Sequence, residues 1–413
     1  MSASAPRLTE LQRMLTGITE RLAHELAAPG ARAPAWSETQ WGVARAVAAV
    51  HGVSGLLAQR LRWQGPEAWR AFLETQHQQV AQRQLRIEVL LARIGARARA
   101  QAIALVGLKG TALLGLGLYQ PGERPMADID LLVDGSQEAS AHELLVGLGF
   151  SPGAVTWRHR TFAEPSAAGT VAQFGEHSGN PLKIELHRQV CERLPLHPVD
   201  ITMQVLAAPA RAGLQPYPSR AGLLLHLLLH AAGAMVDRSA RLLHLNDIAR
   251  LTGAMEAADW DELWALGARC APPGLWWAFP PLALTERYFR CVPAAVLRRL
   301  AQQCRWPLRQ TAQRRRLTEV SLSYLWVSAF PGIEWSSSLG EATAYAMRRL
   351  RPRAETLELR RALVHSQPLL SDGEWARTSQ GRRILRWLSA RQPRQQALQP
   401  VQAALALPRA KSP

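Results

Sequence analysis

Asp128 and Asp130 flank Ile129 in the run Asp128–Val133 (DIDLLV). In an extended strand, residues i and i+2 face the same side. Both carboxylates then emerge together, while Ile129, Leu131 and Val133 turn toward a core. Two adjacent ionised carboxylates repel each other unless a cation lies between them. Mg²⁺, or Mn²⁺ in its place, takes hard oxygen ligands and leaves positions open for substrate phosphates. Alone, the pair is also what a solvated surface strand carries. Glu185 adds to it. In Leu182–His187 (LKIELH), Leu182, Ile184 and Leu186 alternate with Lys183, Glu185 and His187, the pattern of a half-buried strand. A third carboxylate on a neighbouring strand completes a site for two metal ions; otherwise Lys183, Glu185 and His187 form a plain solvated face.

Leu108-Lys109-Gly110-Thr111 lies at a strand-to-helix junction ahead of the two aspartates. Gly110 permits close backbone approach, and a following helix N-terminus offers N–H groups to an anion. The chain has only three lysines, Lys109, Lys183 and Lys411, against abundant arginine. A lysine in that setting suggests a compact ammonium directed at phosphate. A simple turn accounts for Gly110 equally well. Arg124 is spaced to reach a triphosphate with its planar fork, or to pair with Asp134 or Glu123. His226 and His230 share one helical face at metal-pair spacing, but the residues before them are leucines. They are read as helix packing or the lining of an acceptor cleft that also holds His187, with Arg241, His244 and Asp247 as neighbours in a polar network. Trp276, Trp277, Trp306, Trp326 and Trp335 are read as core.

The elements that must position these groups fall into four regions: a helical region over 1–100, an α/β core over 101–205, a helical domain flanking the cleft over 206–335, and a basic helical segment with a disordered tail over 336–413. In the first, Leu85, Val89 and Ala92 recur at helical spacing opposite Arg83, Arg86, Arg93 and Arg97. In the second, the spacing predicts strands at Ala102–Leu108, Asp128–Val133 and Leu182–His187, short strands at Phe162–Ala163 and Val171–Phe174, and helices at Gly110–Leu118 and Ser140–Leu148. In the third, it predicts helices at Ala221–Val236 and Arg241–Thr252 and a packed connection at Ala271–Leu284. The fold class expected is α+β, a small mixed sheet flanked by helices. No internal repeat is present.

The formal charge is +17, from 49 Lys+Arg and 32 Asp+Glu. Residues 301–413 carry 19 of the basic and 7 of the acidic groups, so most of the excess lies there and a nucleic acid could dock on that region. Four scattered cysteines exclude a CxxC zinc framework and are expected as reduced, mostly buried thiols. The first residues lack an apolar run, so no secretory signal is expected. The most apolar stretch, Ala221–Val236, is too short for a membrane span. These features point to a cytoplasmic protein.

LKGTALLGLGLYQPGERPMADIDLLV, with Tyr119 in an "LY" position, then Leu148-Gly149-Phe150, then KIELHRQV, resembles the uncharacterised bacterial nucleotidyltransferase family of the DNA polymerase β-like superfamily. His226, His230 and Asp247-Ile248-Ala249 also resemble that family's helical half, and the likeness runs over roughly residues 40 to 260. The wider superfamily carries Gly-Ser after its first strand where this chain has Lys109-Gly110-Thr111. The resemblance implies a nucleotidyltransferase fold with Asp128, Asp130 and Glu185 as metal ligands and with Gly110 and its neighbours holding the phosphates of an NTP. The expected reaction is transfer of NMP to an acceptor hydroxyl or amine on a peptide, small molecule or RNA, with release of pyrophosphate. Transfer of the γ-phosphoryl, a tRNA-directed transfer, and a non-catalytic nucleotide-binding regulator are the alternatives; the intact trio of acids argues against the last.

Overall fold

The computed structural model describes residues 6–165, 174–206, 209–352 and 391–406, with a few isolated positions between 353 and 390. It is an α+β structure. Four helices precede the sheet: α1 (Leu8–Ala27), α2 (Glu38–Val50), α3 (Ser54–Arg60) and the 34-residue α4 (Glu67–Ala100). The central stretch contributes β1 (Ala104–Gly107), α5 (Gly110–Gly115), β2 (Ile129–Val133), α6 (Glu138–Gly147), β3 (Ser151–Val155), β4 (His159–Ala163) and β5 (Lys183–His187). A small hairpin follows, β6 (Cys191–Arg193) with β7 (Pro198–Asp200), then the single turn α7 (Thr202–Val205) and β8 (Gly213–Gln215). The six main strands lie in the order β3-β4-β5-β2-β1-β8, with β1–β8 and β2–β5 parallel and the rest antiparallel.

The helical half begins with α8 (Arg220–Val236) and α9 (Leu242–Thr252). Ser219 caps α8 by accepting from Gly222 N. Helices α10 (Ala257–Ala268), α11 (Phe279–Phe289), α12 (Ala294–Gln303), α13 (Trp306–Arg314) and α14 (Leu339–Leu350) follow. α8 is apolar all round, and nearly every residue is buried, which marks a core helix. Among the described residues no single helix is long and apolar enough to cross a membrane. Cys191, Cys270 and Cys304 are buried free thiols, and Cys291 is half-buried.

Two apolar cores result. One fills the space between α4, α6 and one face of the sheet: Ile87, Leu90, Ile94, Leu131, Leu144, Phe162 and Ile184 meet there. The other joins the N-terminal helices to α8, α9 and α11 through residues such as Leu22, Trp69, Leu228, Leu251 and Trp277.

Several expectations need correction. Leu85 and Val89 are exposed, at 62% and 63%, and the buried stripe of α4 instead runs Val80, Arg83, Ile87, Leu90, Ile94 and Ala98. The second half of the stretch taken as a connection, from Phe279, is helix α11 with Pro at its start, where the missing N–H has no partner to lose. Trp306 is 66% exposed rather than core, whereas Trp277 and Trp335 are buried. The tail expected to lack structure is helical over Gln395–Ala406. Ala397, Val401 and Ala404 form its buried stripe, and the helix packs on α2, where Gly42 leaves room for Leu405. Of the strand expected at Val171–Phe174, residues 171–173 lie outside the described residues.

A buried histidine ties these layers together. His51, at the end of α2, is fully buried. Its Nδ1 accepts from Leu242 N at 2.9 Å, so Nε2 carries the proton and donates to Ser323 Oγ at 2.8 Å. Burial first, and then the charge of Arg241, push its pKa from 6.5 down to about 3. The unfolded chain therefore takes up this proton before the folded one does. The stability is present in full above pH 6.5 and drains away as the pH falls toward 3. Each unit of that window is worth about 1.4 kcal/mol. His51→Gln should accordingly reduce the loss of unfolding free energy between pH 6.5 and 5, measured by urea titration, by about 2 kcal/mol. An unchanged slope would show that the imidazole is solvated.

Candidate active site

The register of two strands brings the acids together. β2 and β5 run parallel with Asp130 beside Glu185 and Leu132 beside His187. β4 pairs with the other edge of β5 and sets His159 beside His187 and Thr161 beside Glu185. Alternation then puts Asp130, Glu185, His187 and His159 on one face, while Ile129, Leu131, Val133, Ile184 and Leu186 fill the core behind them. Asp128 stands just before β2. Its carboxyl is pushed up to about 6, by burial first and then by the charges of Glu185 and Asp130. Three carboxylates thus share one electrostatic neighbourhood.

Asp130 is buried and held by Lys109 and His187. Lys109 Nζ donates to its Oδ1 at 2.9 Å, and His187 Nε2 lies 2.9 Å from the same oxygen. Burial raises the Asp130 pKa, but Lys109 and His187 outweigh it and leave the carboxyl well below the usual range. His187 Nε2 also sits 3.3 Å from Glu185 Oε2. Burial disfavours the His187 cation, yet its hydrogen bonds to Asp130 and Glu185 raise its pKa. Glu185 is raised by burial and lowered further by His187, so it ends below its ordinary value. His159 Nδ1 is 3.5 Å from Glu185 Oε2 and makes no hydrogen bond among the described residues.

Lys109 is delivered by an uncommon backbone. Leu108 N donates to Asp130 O at 2.9 Å, continuing the β1–β2 ladder. Lys109 then turns at φ 44° and ψ −110°, a conformation that strains a side-chain-bearing residue by roughly 1–3 kcal/mol. Thr111 is buried, with Oγ1 turned to the Met126 sulfur at 3.9 Å. The space left open at Gly110 is taken by Arg124, whose Nη1 would lie 2.5 Å from an added Cβ.

Arg124 is committed to α9. Its Nε donates to Asp247 Oδ1 at 2.9 Å and its Nη2 to Oδ2 at 2.7 Å. Tyr119 Oη donates to the same carboxylate at 2.5 Å and accepts from Asn246 at 2.8 Å. Glu123 is bound by Arg250, and Asp134 by Ser136. The motifs around Tyr119, Arg124 and Asp247 are therefore parts of one joint. Asp247 belongs to this joint rather than to a network with His226 and His230.

The wall opposite the sheet is α8. His226 is buried and bonded to Tyr217, while His230 packs edge-on against His244 at 4.8 Å. Burial pushes both imidazoles well down, and the nearby Lys109 charge pushes them further. Between wall and sheet lies Glu192, 2.5 Å from Arg158 and 3.8 Å from His230. Gly233 gives it room, since a Cβ there would stand 2.8 Å from Glu192.

Two positions at the site are not legible in the sequence. His159 sits in Trp157-Arg158-His159-Arg160-Thr161, which shows few strand formers; only Phe162 signals the buried face. Arg83 was placed on a solvent face, yet it is 4% exposed. Its guanidinium donates to the carbonyls of Met126, Ala127, Asn180 and Pro181 at 3.2, 3.1, 2.7 and 3.4 Å. These carbonyls lead into β2 and β5, so Arg83 aligns the two acid-bearing strands. Arg83→Met should lower stability by about 3 kcal/mol, because it strands buried acceptors. Arg83→Lys should recover only part, since an ammonium lacks the planar fork. Urea midpoints of the two variants check this; equal midpoints would contradict it.

The sheet thus presents Asp130, Glu185 and Lys109, with Asp128 just before β2, toward a helical wall. The family model described as "Uncharacterised nucleotidyltransferase" matches residues 37–272, more than half of the chain, and the chain belongs to that family. No curated protein and no solved structure matches it.

Proposed function

We propose that the protein transfers NMP from an NTP to an acceptor hydroxyl or amine and releases pyrophosphate. The observation that carries this reading is the strand register that sets Asp130 beside Glu185 with Asp128 at the strand entrance. The donor set suits a divalent ion: three acidic groups crowd together, and one of them, Asp128, is raised to about 6 by burial first and then by the charges of Glu185 and Asp130. Asp128, Asp130 and Glu185 would hold Mg²⁺ or Mn²⁺, which when bound supplies charge neutralisation for the substrate phosphates and the leaving oxygen. Lys109, paired with Asp130 in this structure, would offer its ammonium to a phosphate oxygen of the bound substrate. Gly110 and Thr111 lie beside it on the phosphate side, and Arg124 keeps that loop in place through Asp247. The acceptor oxygen or nitrogen bonds to the α-phosphorus, and the bond from that phosphorus to the bridging oxygen of the β-phosphate breaks. The acceptor proton passes to Glu185, which is ionised at neutral pH and positioned to receive it. Glu192, His226 and His230 line the acceptor side.

Titration calorimetry with an NTP, with and without Mg²⁺, tests the reading together with incubation of labelled NTPs and candidate acceptors. A metal-dependent NTP signal and a nucleotide adduct by mass support it. A phosphate adduct instead assigns γ-phosphoryl transfer, and NTP binding that is indifferent to metal sinks the reading.

A further inference from the structure

We propose that Glu185, His187 and His159 form a mixed nitrogen–oxygen site for a divalent transition ion beside the all-oxygen pair Asp128 and Asp130. The inference deepens the transferase reading, because Glu185 is shared, but its ligands are argued independently.

The first support is geometric. The ligand atoms of the three side chains lie within 4.8 Å of one another. Glu185 Oε2 stands 3.3 Å from His187 Nε2 and 3.5 Å from His159 Nδ1. An ion about 2.0–2.1 Å from each of its ligands in tetrahedral array separates neighbouring ligand atoms by about 3.3–3.4 Å. Two edges of the required polyhedron are therefore already present. The second support is an orphan. His159 Nδ1 is buried and has no hydrogen-bond partner among the described residues, a state that side-chain nitrogens rarely keep without reason. It points at the same oxygen as His187. The third is the pairing of β4 with β5, which sets the two imidazoles side by side with ring centroids 4.9 Å apart.

Donor chemistry then selects the ion. Imidazole nitrogen suits Zn²⁺, Fe²⁺, Ni²⁺ and Cu²⁺, whereas Mg²⁺ and Mn²⁺ prefer oxygen. Three protein ligands leave a position open for an incoming oxygen, as catalytic rather than structural metal sites do. A purely internal network is the competing account: His187 as counter-ion to Asp130 and Glu185, and His159 as its packing partner.

Cu²⁺ added to the full-length protein in the presence of Mg²⁺, followed by pulsed electron paramagnetic resonance, reads the ligands directly. Nitrogen-14 modulation from imidazole is expected on the bound ion, with part of it lost in His159→Gln. Cu²⁺ affinity should also fall in His159→Gln by at least the roughly 10–100-fold that loss of an outer-shell partner typically causes. His142→Gln, which alters a histidine outside the cluster, should leave both readouts unchanged. Bound Cu²⁺ without nitrogen modulation, or equal affinity in His159→Gln, overturns the mixed site and leaves the transferase reading standing. Nitrogen modulation in a protein that transfers no nucleotide would do the reverse.

Discussion

Asp130→Asn is expected to lower nucleotide transfer by about a thousandfold or more, and to lower the urea midpoint as well, because the Lys109 ammonium loses its counter-charge. The charge matters more than the shape. Asparagine fits the same buried position, and its amide still offers an oxygen to Lys109 and His187, now 2.9 Å from the carboxylate. What disappears is one of the anionic ligands that would hold a divalent ion between Asp128 and Glu185. Charge stabilisation by such an ion is worth several kcal/mol in the transition state, and each 1.36 kcal/mol is a factor of about ten in rate. Glu185→Gln should match it, because Glu185 lies beside Asp130 in register and is also the proposed proton acceptor. Asp128→Asn should weaken metal binding too, since it removes the carboxyl that burial, and then the charges of Glu185 and Asp130, raise to about 6. Single-turnover rates with labelled NTP measure all three. Transfer within tenfold of the unmodified protein in Asp130→Asn would remove the metal site from the mechanism.

Asp247→Ala should destabilise the protein by roughly 3–5 kcal/mol, the usual effect of stranding one member of a buried ion pair. Asp247 is 2% exposed and accepts from Arg124 twice and from Tyr119 once. Burial works against the Arg124 cation, but Asp247 more than reverses this and raises its pKa. Alanine would leave that guanidinium buried without a counter-charge. The double variant Arg124→Met, Asp247→Leu should regain much of the loss, since well-packed apolar replacements of a buried pair are often neutral. Urea unfolding of the two single variants and the double resolves the coupling. A loss below about 1 kcal/mol in Asp247→Ala would mean that water reaches the pair.

The site was legible wherever alternation was clean. DIDLLV and KIELH each show buried apolar residues every second position, so the faces of Asp130 and Glu185 followed from periodicity alone. The strand opposite, β4, was not legible beyond Phe162, because His159, Arg160 and Thr161 carry no apolar alternation. β3 begins Ser151-Pro152-Gly153, which reads as turn. Its pairing with β4 is a tertiary outcome, interrupted by an irregularity between Pro152 and Val155. Charge misled in one place. Arginine was assigned to the outer face of α4, yet Arg83 satisfies its donors with four carbonyls and so tolerates burial, while Leu85 and Val89 face outward. Composition misled in another: Gln395–Ala406 looks like a polar, proline-bearing tail, but Ala397, Val401 and Ala404 recur at helical spacing and find a partner in α2. The partner of Arg124 lay more than a hundred residues away, a distance that no local rule spans.

The contacts of Arg83 also bear on the order in which the protein acquires its structure. Its partners arrive late: Asn180 is 97 residues downstream, and Asp130 and His187 are separated by 57. During synthesis α4 and β2 leave the ribosome well before β5 exists. Until then β2 has one open edge, and Arg83 has only half of its carbonyls. The register that aligns the acids is thus a late, non-local event, closed at the entropic expense of a long loop. Chains interrupted before Pro181 would keep α1–α6 and two separate strand pairs, β1–β2 and β3–β4, with unpaired sheet edges, the kind of species that associates with its own copies.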